Sequence, residues 1–263
     1  MKWVRYATGT DGGSRYCIVE GDMVQEVSGT PFAEYAVTGT RRRLADLRLL
    51  TPVMPPTFYA NGVNYRAHVR STSAAVGKDY HEPPLTDIIG YRAVSALVAH
   101  GDAIVIPRES PGKIQYEGEL VVVIGKTAKH LSEADALSCV LGYSVGNDVS
   151  ERSWQRVDRT LWRAKNTDTF KPMGPWIETD VDFDAMETIV RVNDKEVARF
   201  KTNDMICGVS ATISMITRYI TLRPGDVIWM GTNDPTLDMV AGDVCEIEIS
   251  GVGVLRNPVV AEA

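Results

Sequence analysis

The stretch YEGELVVVIGK, residues 116–126, decides the fold that the sequence predicts. Its unbroken apolar run closes at a glycine and is typical of a buried β-strand. Two glutamates, Glu117 and Glu119, stand at the head of this strand and are separated by a single glycine. Because residues i and i+2 of a strand point to the same face, the pattern places two carboxylates side by side at the mouth of a buried strand.

Two explanations are open for this carboxylate pair. It lies at a solvent-exposed strand end, where it costs little, or it binds a divalent cation that turns the repulsion into coordination. Spacing alone favours the exposed strand end. A third oxygen donor, Asp148, lies in GYSVGNDVSERSWQ, residues 142–155, after glycines that let the backbone approach a ligand closely. Three carboxylates without a histidine or cysteine companion suit a hard cation such as Mg²⁺.

Composition excludes several classes of protein. The chain has 263 residues, is 44% hydrophobic and carries a formal net charge of −6, with no basic block that would favour nucleic acid as the main partner. No apolar run approaches the roughly 20 residues that span a bilayer, and the first residues lack the apolar segment of a signal peptide. The four cysteines are far apart, so neither a zinc site nor a disulfide framework is expected. We therefore expect a cytoplasmic protein without a nucleic-acid or membrane partner.

The order of strands and helices indicates an α+β protein in two parts. A small strand-rich N-terminal region, residues 1–55, ends near Pro55–Pro56, and residues 56–263 form the larger part. Strands dominate this larger part. Helices are predicted at residues 132–143, behind a serine N-cap, and at residues 204–220, where apolar residues recur at helical spacing. Many strands with few interposed helices favour α+β over a doubly wound parallel sheet.

Several stretches, in this order along the chain, resemble the fumarylacetoacetate hydrolase superfamily over about residues 57–260. They are GVNYRAH (62–68), YEGELVVVIGK (116–126), GYSVGNDVSERSWQ (142–155), AKNTDTFKPMGPWI (164–177), LRPGDVIWMGT (222–232) and GDVCEIEISGVGVLRNPV (242–259). The resemblance implies a mixed β-roll fold, usually in a homodimer. It also implies that Glu117, Glu119 and Asp148 bind the metal, which is Mg²⁺, Mn²⁺ or Ca²⁺.

The substrates implied by the resemblance are small 2-oxo acids or 1,3-diketones that chelate the metal, as in the catabolism of aromatic compounds. Cleavage or loss of CO₂ beside a carbonyl develops negative charge on its oxygen, which a Lewis acid stabilises. The leading hypothesis is a Mg²⁺-dependent hydrolase of the C–C bond in an acylpyruvate-like or other 1,3-dicarbonyl substrate. The alternatives are a decarboxylase or keto–enol isomerase of a 2-oxo dicarboxylic acid, and a small-molecule binder without catalysis.

Three basic residues match positions of the family's active site. Lys165 matches a lysine that provides a fixed positive charge for a carboxylate or a developing enolate. Arg152 matches a polar residue that faces the pocket, with the alternative that it pairs with Asp148. Arg92 lies where many members have a lysine, so it is either an oxyanion contact or part of a surface salt bridge.

Three further residues are predicted to contact substrate. Gln155 matches a polar residue that faces the pocket in the family. Thr232 either matches a threonine whose hydroxyl helps to hold substrate or is a turn residue at a strand end, and Tyr65 either lines the pocket or packs in the core. The segment GTNDPTLDM, residues 231–239, departs from the family, which often continues with a proline and a glycine-rich turn. We therefore expect an unusual substrate loop.

A second departure concerns His68, which matches the histidine that deprotonates the attacking water in hydrolytic members. A carboxylate that fixes the tautomer of this imidazole usually falls three residues later, and this chain has Ser71 there. The polar stretch at residues 71–84 is predicted to be a mobile segment, a short lid helix or a surface loop. Asp79 or Glu82 from this stretch is the candidate to replace the missing glutamate.

Overall fold

The computed structural model describes residues 1–9, 12–75 and 77–263, so that Val76 of the predicted lid lies outside the described residues. Strands make up most of the regular structure. They are β1 (Lys2–Ala7), β2 (Ser14–Glu20), β3 (Met23–Gly29), β4 (Tyr35–Arg43), β5 (Leu49–Leu50), β6 (Phe58–Asn61), β7 (Ile89–Tyr91), β8 (Leu97–Val98), β9 (Ile104–Ile106), β10 (Ile114–Gln115), β11 (Gly118–Ile124), β12 (Val140–Asn147), β13 (Ser150–Glu151), β14 (Lys171–Glu178), β15 (Glu187–Val192), β16 (Lys195–Lys201), β17 (Val227–Trp229), β18 (Asp238–Met239), β19 (Val244–Ile249) and β20 (Gly253–Ala261).

The helices are few and mostly short, which confirms the α+β class. They are α1 (Arg66–Ala75), α2 (Leu85–Ile88), α3 (Arg152–Gln155), α4 (Trp162–Asn166) and α5 (Val209–Tyr219), with 3-10 turns at Leu44–Asp46, Val94–Ala96 and Ala136–Cys139. Among the helices in the described ranges, none combines the length and the apolar character that a bilayer crossing requires.

One predicted helix is correct and the other is wrong. Helix α5 forms within residues 204–220 and buries apolar side chains such as Ile213 and Ile216. The segment at residues 132–143 is not an α-helix, although the Ser132 hydroxyl accepts a hydrogen bond from the Asp135 N–H. After one 3-10 turn the chain enters β12, because that strand pairs with β11 on one side and β14 on the other. Tertiary pairing overrides the local helical signal.

Strand β11 lies inside a 12-stranded mixed sheet with the order β4-β3-β2-β1-β14-β12-β11-β17-β6-β7, to which β5 adds beside β1 and β8 beside β14. Strand β11 pairs antiparallel with β12 and β17, whereas β17 pairs parallel with β6. Alternate side chains of β11 enter two different apolar clusters. One cluster contains Leu120 and Val122, and the other contains Val121 and Val123. Both faces of β11 are therefore covered, which explains its unbroken apolar run.

A second sheet, β16-β15-β19-β20-β9, packs against the mouth of β11. Gly118 lies at this contact, where an added Cβ would be 3.1 Å from Ile247 and 3.2 Å from Thr188. The glycine between the two glutamates therefore allows the second sheet to approach closely. Strands β1–β4 of the N-terminal region extend the first sheet, since Trp3 of β1 pairs with Ile177 of β14.

Candidate metal centre and active site

The three predicted carboxylates lie together where the start of one strand is next to the end of its antiparallel partner. Glu117 and Glu119 lie at the start of β11, and Asp148 follows the end of its antiparallel partner β12. The Asp148 N–H donates to the Glu117 carbonyl at 2.9 Å and fixes the two strand ends together. One ligand oxygen of each carboxylate lies within 4.8 Å of the others, and all three residues are buried. The exposed strand end that spacing alone favoured is thereby excluded.

Four buried or mostly buried cations surround two of these carboxylates. Glu117 accepts from Lys165 Nζ at 2.5 Å and pairs with Arg152 Nη1 at 2.7 Å. Asp148 pairs with Arg92 Nη2 at 2.8 Å, with Lys171 Nζ at 2.7 Å and with Lys165 Nζ at 3.0 Å. These distances are those of charge-assisted hydrogen bonds.

The cations determine the charge states of Glu117 and Asp148. Burial by itself raises the pKa of Glu117, but Lys165 and then Arg152 outweigh it and lower this pKa to about 2. Burial likewise opposes ionisation of Asp148, and Arg92 followed by Lys165 holds its pKa well below the usual value. Both carboxylates are therefore ionised and available as ligands at neutral pH.

Glu119 differs from the other two carboxylates. It is 1% exposed and accepts one hydrogen bond, from the Gly231 N–H at 2.8 Å, and it forms no ion pair with any residue in the described ranges. Burial, and then the charges of Asp148 and Glu117, raise the pKa of Glu119 well above its usual value. A buried carboxylate without a cation is costly, and a divalent cation held by all three carboxylates removes that cost. The donor set fits a hard cation bound through oxygen.

A cavity of about 510 Å³ lies beside Arg152, one of the cations around this cluster. Arg152 connects the two, because it pairs with Glu117 and also lines the cavity. Arg152 further donates to Gln155 at 2.8 Å, and Gln155 lines the same cavity, so these two predicted substrate residues lie together. The alternative in which Arg152 pairs with Asp148 is wrong, since its carboxylate partner is Glu117.

His68 reaches the same cavity from helix α1. Its Nδ1 lies 2.7 Å from Oδ1 of Asp234, a residue of the segment that departs from the family. Glu82 instead accepts from Arg66 and Tyr80, each at 2.8 Å. The structure thus corrects the expectation from the sequence: Asp234, and not Asp79 or Glu82, is the carboxylate beside the imidazole.

Three other predicted substrate residues occupy different positions. Tyr65 is 1% exposed, donates its hydroxyl proton to the Thr202 carbonyl at 2.6 Å and packs against Phe200. Of its two predicted positions, Tyr65 therefore takes the one in the core. Thr232 is 2% exposed, and its hydroxyl donates weakly to the Asn233 carbonyl at 3.4 Å. Arg92 is neither at the surface nor unpaired, because its guanidinium contacts Asp148.

Lys171 and Asp234 are among the charged residues of the site that sequence reasoning missed. Lys171 belongs to a stretch that matches the family, but nothing in its neighbourhood marks it as buried. It is 0% exposed and donates to Asp148 and to the Val149 and Phe170 carbonyls, and burial lowers its pKa to about 7 despite Asp148. For Asp234 the available signal was the unusual segment at residues 231–239.

Two family models match separate parts of the chain. The sequence model described as Fumarylacetoacetate (FAA) hydrolase C-terminal matches residues 57–260. A second, described as Rv2993c-like, N-terminal, matches residues 1–52.

Individual relatives carry out several reactions. A mitochondrial oxaloacetate tautomerase of Xenopus laevis is 37% identical over 229 residues, which cover 82% of this chain and 69% of that protein. The crystal structure of 5-carboxymethyl-2-hydroxymuconate delta-isomerase from Mycobacterium smegmatis is similar at a TM-score of 0.88 and 35% identity, with all of both chains covered. The crystal structure of maleylpyruvate hydrolase from Sphingobium sp. SYK-6 in complex with manganese(II) and pyruvate has a TM-score of 0.80 and 26% identity to this chain, again with all of both chains covered.

Proposed function

The chain belongs to the fumarylacetoacetate hydrolase family, and from this premise we propose that it is a metal-dependent hydrolase. Its substrate is an acylpyruvate-like or other 1,3-dicarbonyl 2-oxo acid, in which water cleaves a C–C bond. The metal is a hard divalent cation, Mg²⁺ or Mn²⁺, held by Glu117, Glu119 and Asp148. The manganese and pyruvate in the maleylpyruvate hydrolase support this choice of cation and of substrate class.

One observation carries the proposal: among the described residues the buried carboxylate of Glu119 has no ion pair, and its cluster is connected through Arg152 to a cavity with an imidazole on its wall. The cluster supplies a place for a cation, and His68 supplies a base. Arg152 connects the two by contact with both the cluster and the cavity. A purely structural ion-pair network has no need of a third carboxylate without a partner.

The residues of the chain divide the reaction between them. His68 takes a proton from water, whose oxygen then bonds to the distal carbonyl carbon. The C–C bond breaks, the acyl half leaves as a carboxylic acid, and the electron pair of the bond stays on the other half as an enolate of the 2-oxo acid. The enolate becomes the keto product by taking at carbon the proton that His68 accepted from water. Lys165 and Arg152 hold positive charge beside the cluster and favour a substrate carboxylate there. When bound, the cation supplies Lewis-acid stabilisation of the enolate oxygen.

A second candidate is keto–enol tautomerisation of a 2-oxo dicarboxylic acid, which moves a proton between carbon and oxygen without breaking a C–C bond. The tautomerase and isomerase relatives favour it, because they are 37% and 35% identical, whereas the maleylpyruvate hydrolase is 26% identical. The same base and the same cation serve this reaction. Decarboxylation of such an acid uses the enolate stabilisation alone.

The experiment that tests the proposal compares substrates on one enzyme preparation with Mn²⁺ and with EDTA. We expect acylpyruvates to be hydrolysed with Mn²⁺ and not with EDTA, followed as loss of the enol absorbance and as the released acid. Tautomerisation of oxaloacetate with no acylpyruvate hydrolysis would establish the second candidate instead. A rise in melting temperature with both substrates and turnover of neither would identify a non-catalytic binder.

A further inference from the structure

The side chains of His68 and Asp234 form a close pair between segments 166 residues apart in the chain. Nδ1 of the imidazole and Oδ1 of the carboxylate are 2.7 Å apart, a charge-assisted distance. The two side chains are 7% and 22% exposed, so water competes for the contact to a limited extent. Because Asp234 occupies Nδ1, the other ring nitrogen, Nε2, is the one left for a proton from the cavity.

Both partners are fixed to the same framework. The side-chain amide of Asn64, two residues before α1, donates to the Met230 carbonyl at 2.8 Å. That contact joins the start of the histidine's helix to the start of the segment that carries Asp234. On the other side, the Tyr116 hydroxyl donates to the Pro235 carbonyl at 3.1 Å. Tyr116 directly precedes Glu117, so the same strand end positions the carboxylate cluster and the loop.

Ser71 is also part of this arrangement. It lies one helical turn after His68, its hydroxyl donates to the His68 carbonyl at 3.1 Å, and the same hydroxyl lowers the pKa of Asp234 when its single proton turns towards that carboxylate. Burial by itself raises the pKa of Asp234, but the hydrogen bonds from His68 and Ser71 outweigh burial and lower it. The residue at the position of the missing glutamate therefore helps to hold an ionised carboxylate that comes from elsewhere in the chain.

We propose that Asp234 is the positioning residue for His68: its carboxylate accepts the Nδ1 proton, holds the imidazole with Nε2 towards the cavity and stabilises the imidazolium that forms when Nε2 takes a proton. Asp234 then lies on the Nδ1 side of the imidazole, and the charge of Glu117, which pairs with Arg152, acts on it from the cluster. The catalytic meaning of this pair rests on the proposed function, whereas the tautomer can be measured without substrate.

The first experiment measures that tautomer by nitrogen NMR of the histidine rings at alkaline pH. The chain has four histidines, so the His68→Ala protein assigns the signal. We expect His68 to be in the Nδ1–H tautomer in the wild type. In Asp234→Asn we expect a mixture of the Nδ1–H and Nε2–H tautomers. A wild-type signal from the Nε2–H tautomer, or a signal unchanged in Asp234→Asn, overturns the proposal even if no substrate is turned over.

The second experiment measures turnover of the acylpyruvate. We expect Asp234→Asn to lower kcat about 100-fold, the lower end of what general-base assistance contributes, with little change in KM. The double variant with both His68→Ala and Asp234→Asn is expected to have nearly the same kcat as His68→Ala alone, because the two residues act as a unit. Glu82→Gln, an acid-to-amide change beyond the same helix, is the matched control and should keep the wild-type kcat.

A rescue separates positioning from a general structural effect. In Asp234→Asn, the further change Ser71→Glu places a carboxylate one turn from His68 and should restore kcat at least about tenfold. In the otherwise wild-type chain, Ser71→Glu should not raise kcat, because the imidazole already has its carboxylate partner. Wild-type kcat in Asp234→Asn, beside a strong loss in His68→Ala, would refute the role of Asp234 and leave the proposed function intact. Absence of turnover in the wild type refutes the proposed function and leaves the tautomer test standing.

Discussion

Arg152 pairs with the carboxylate cluster and lines the cavity that also holds the His68–Asp234 pair, and these two regions are built differently. The cluster comes from the adjoining ends of β11 and β12 in the middle of the largest sheet, and its members are at most 4% exposed. The pair joins helix α1 to a loop between β17 and β18, and its carboxylate is 22% exposed. In the cluster several cations share two carboxylates, whereas in the pair a single contact joins one acid to one base.

This difference determines what a substitution does in each region. In the cluster, removal of one charge leaves a buried partner uncompensated, so we expect it to change both the free energy of unfolding and metal binding. At the pair, water reaches part of the carboxylate, so we expect a small effect on stability and a large effect on turnover. The cluster therefore combines stability and function in the same residues, while the pair contributes little to stability and acts mainly on turnover.

The largest expected effect is that of Lys165→Met. The ammonium lies between Glu117 and Asp148 and is 4% exposed, so its removal breaks two buried ion pairs. We expect the metal-free protein to lose about 3 kcal/mol of unfolding free energy, the lower end of the range for a broken buried pair, and turnover to be abolished. Urea denaturation in EDTA measures the loss of unfolding free energy, and Lys129→Met, at an exposed lysine, is the control. Full stability with lost turnover would assign Lys165 to substrate alone.

The stability part of this expectation was not accessible from the sequence. The resemblance placed Lys165 at the site, but that its charge is engaged by two buried carboxylates depends on the approach of α4 to β11 and β12. Lys171 was missed for the same reason. It is one of several lysines in the chain by sequence, and only the packing of β14 beside β12 makes it fully buried.

The parts that sequence predicted are those written in local patterns. The apolar run of β11 and its paired glutamates follow from strand periodicity, and α5 follows from helical spacing. The helix at residues 132–143 failed because β12 gains more from pairing with two neighbours than from its local helical signal. Asp234 could not be matched to His68, because a contact across 166 residues leaves no mark in either local pattern.

The next prediction concerns Glu119→Gln, which keeps the oxygen that accepts from Gly231 and removes the negative charge. We expect its affinity for Mn²⁺ to fall about 100-fold or more, whereas Asp234→Asn should bind the ion like the wild type. At an ion concentration of about 100 times the wild-type Kd, the ion then adds about 2.7 kcal/mol to wild-type stability and little to Glu119→Gln. Titration calorimetry measures the affinity, and the exposed Glu109→Gln controls for the change in charge.

Without metal, the effect of Glu119→Gln on the free energy of unfolding should have the opposite sign. Glu119 is a buried carboxylate without an ion pair among the residues that the structure describes, so its neutralisation should not lower, and is expected to raise, the unfolding free energy in EDTA. A less stable Glu119→Gln protein in EDTA that binds Mn²⁺ normally would contradict both parts and exclude Glu119 as a ligand.

The smallest effect is the pH dependence of stability at the pair. The pKa of Asp234 is lowered below 3.8 in the folded protein, because the hydrogen bonds from His68 and Ser71 outweigh its burial. A lowered folded pKa means that the unfolded chain binds more protons in acid, so the contribution of Asp234 is present above the unfolded pKa and is lost as pH falls through the folded one. We expect the wild type to exceed Asp234→Asn by about 1 kcal/mol at pH 7, with the difference vanishing in acid.

Asp226 provides the comparison of opposite sign. Burial raises its pKa above 3.8, although the Thr57 and Arg223 N–H groups donate to it at 2.9 and 2.8 Å. Its contribution is therefore present below the unfolded pKa and decreases as pH rises through the folded pKa. Urea denaturation of the wild type, Asp234→Asn and Asp226→Asn from about pH 3 to 7 should give differences that change in opposite directions. Parallel changes would mean that the imidazole does not hold Asp234 ionised, and the pair would then lack the charge that positions His68.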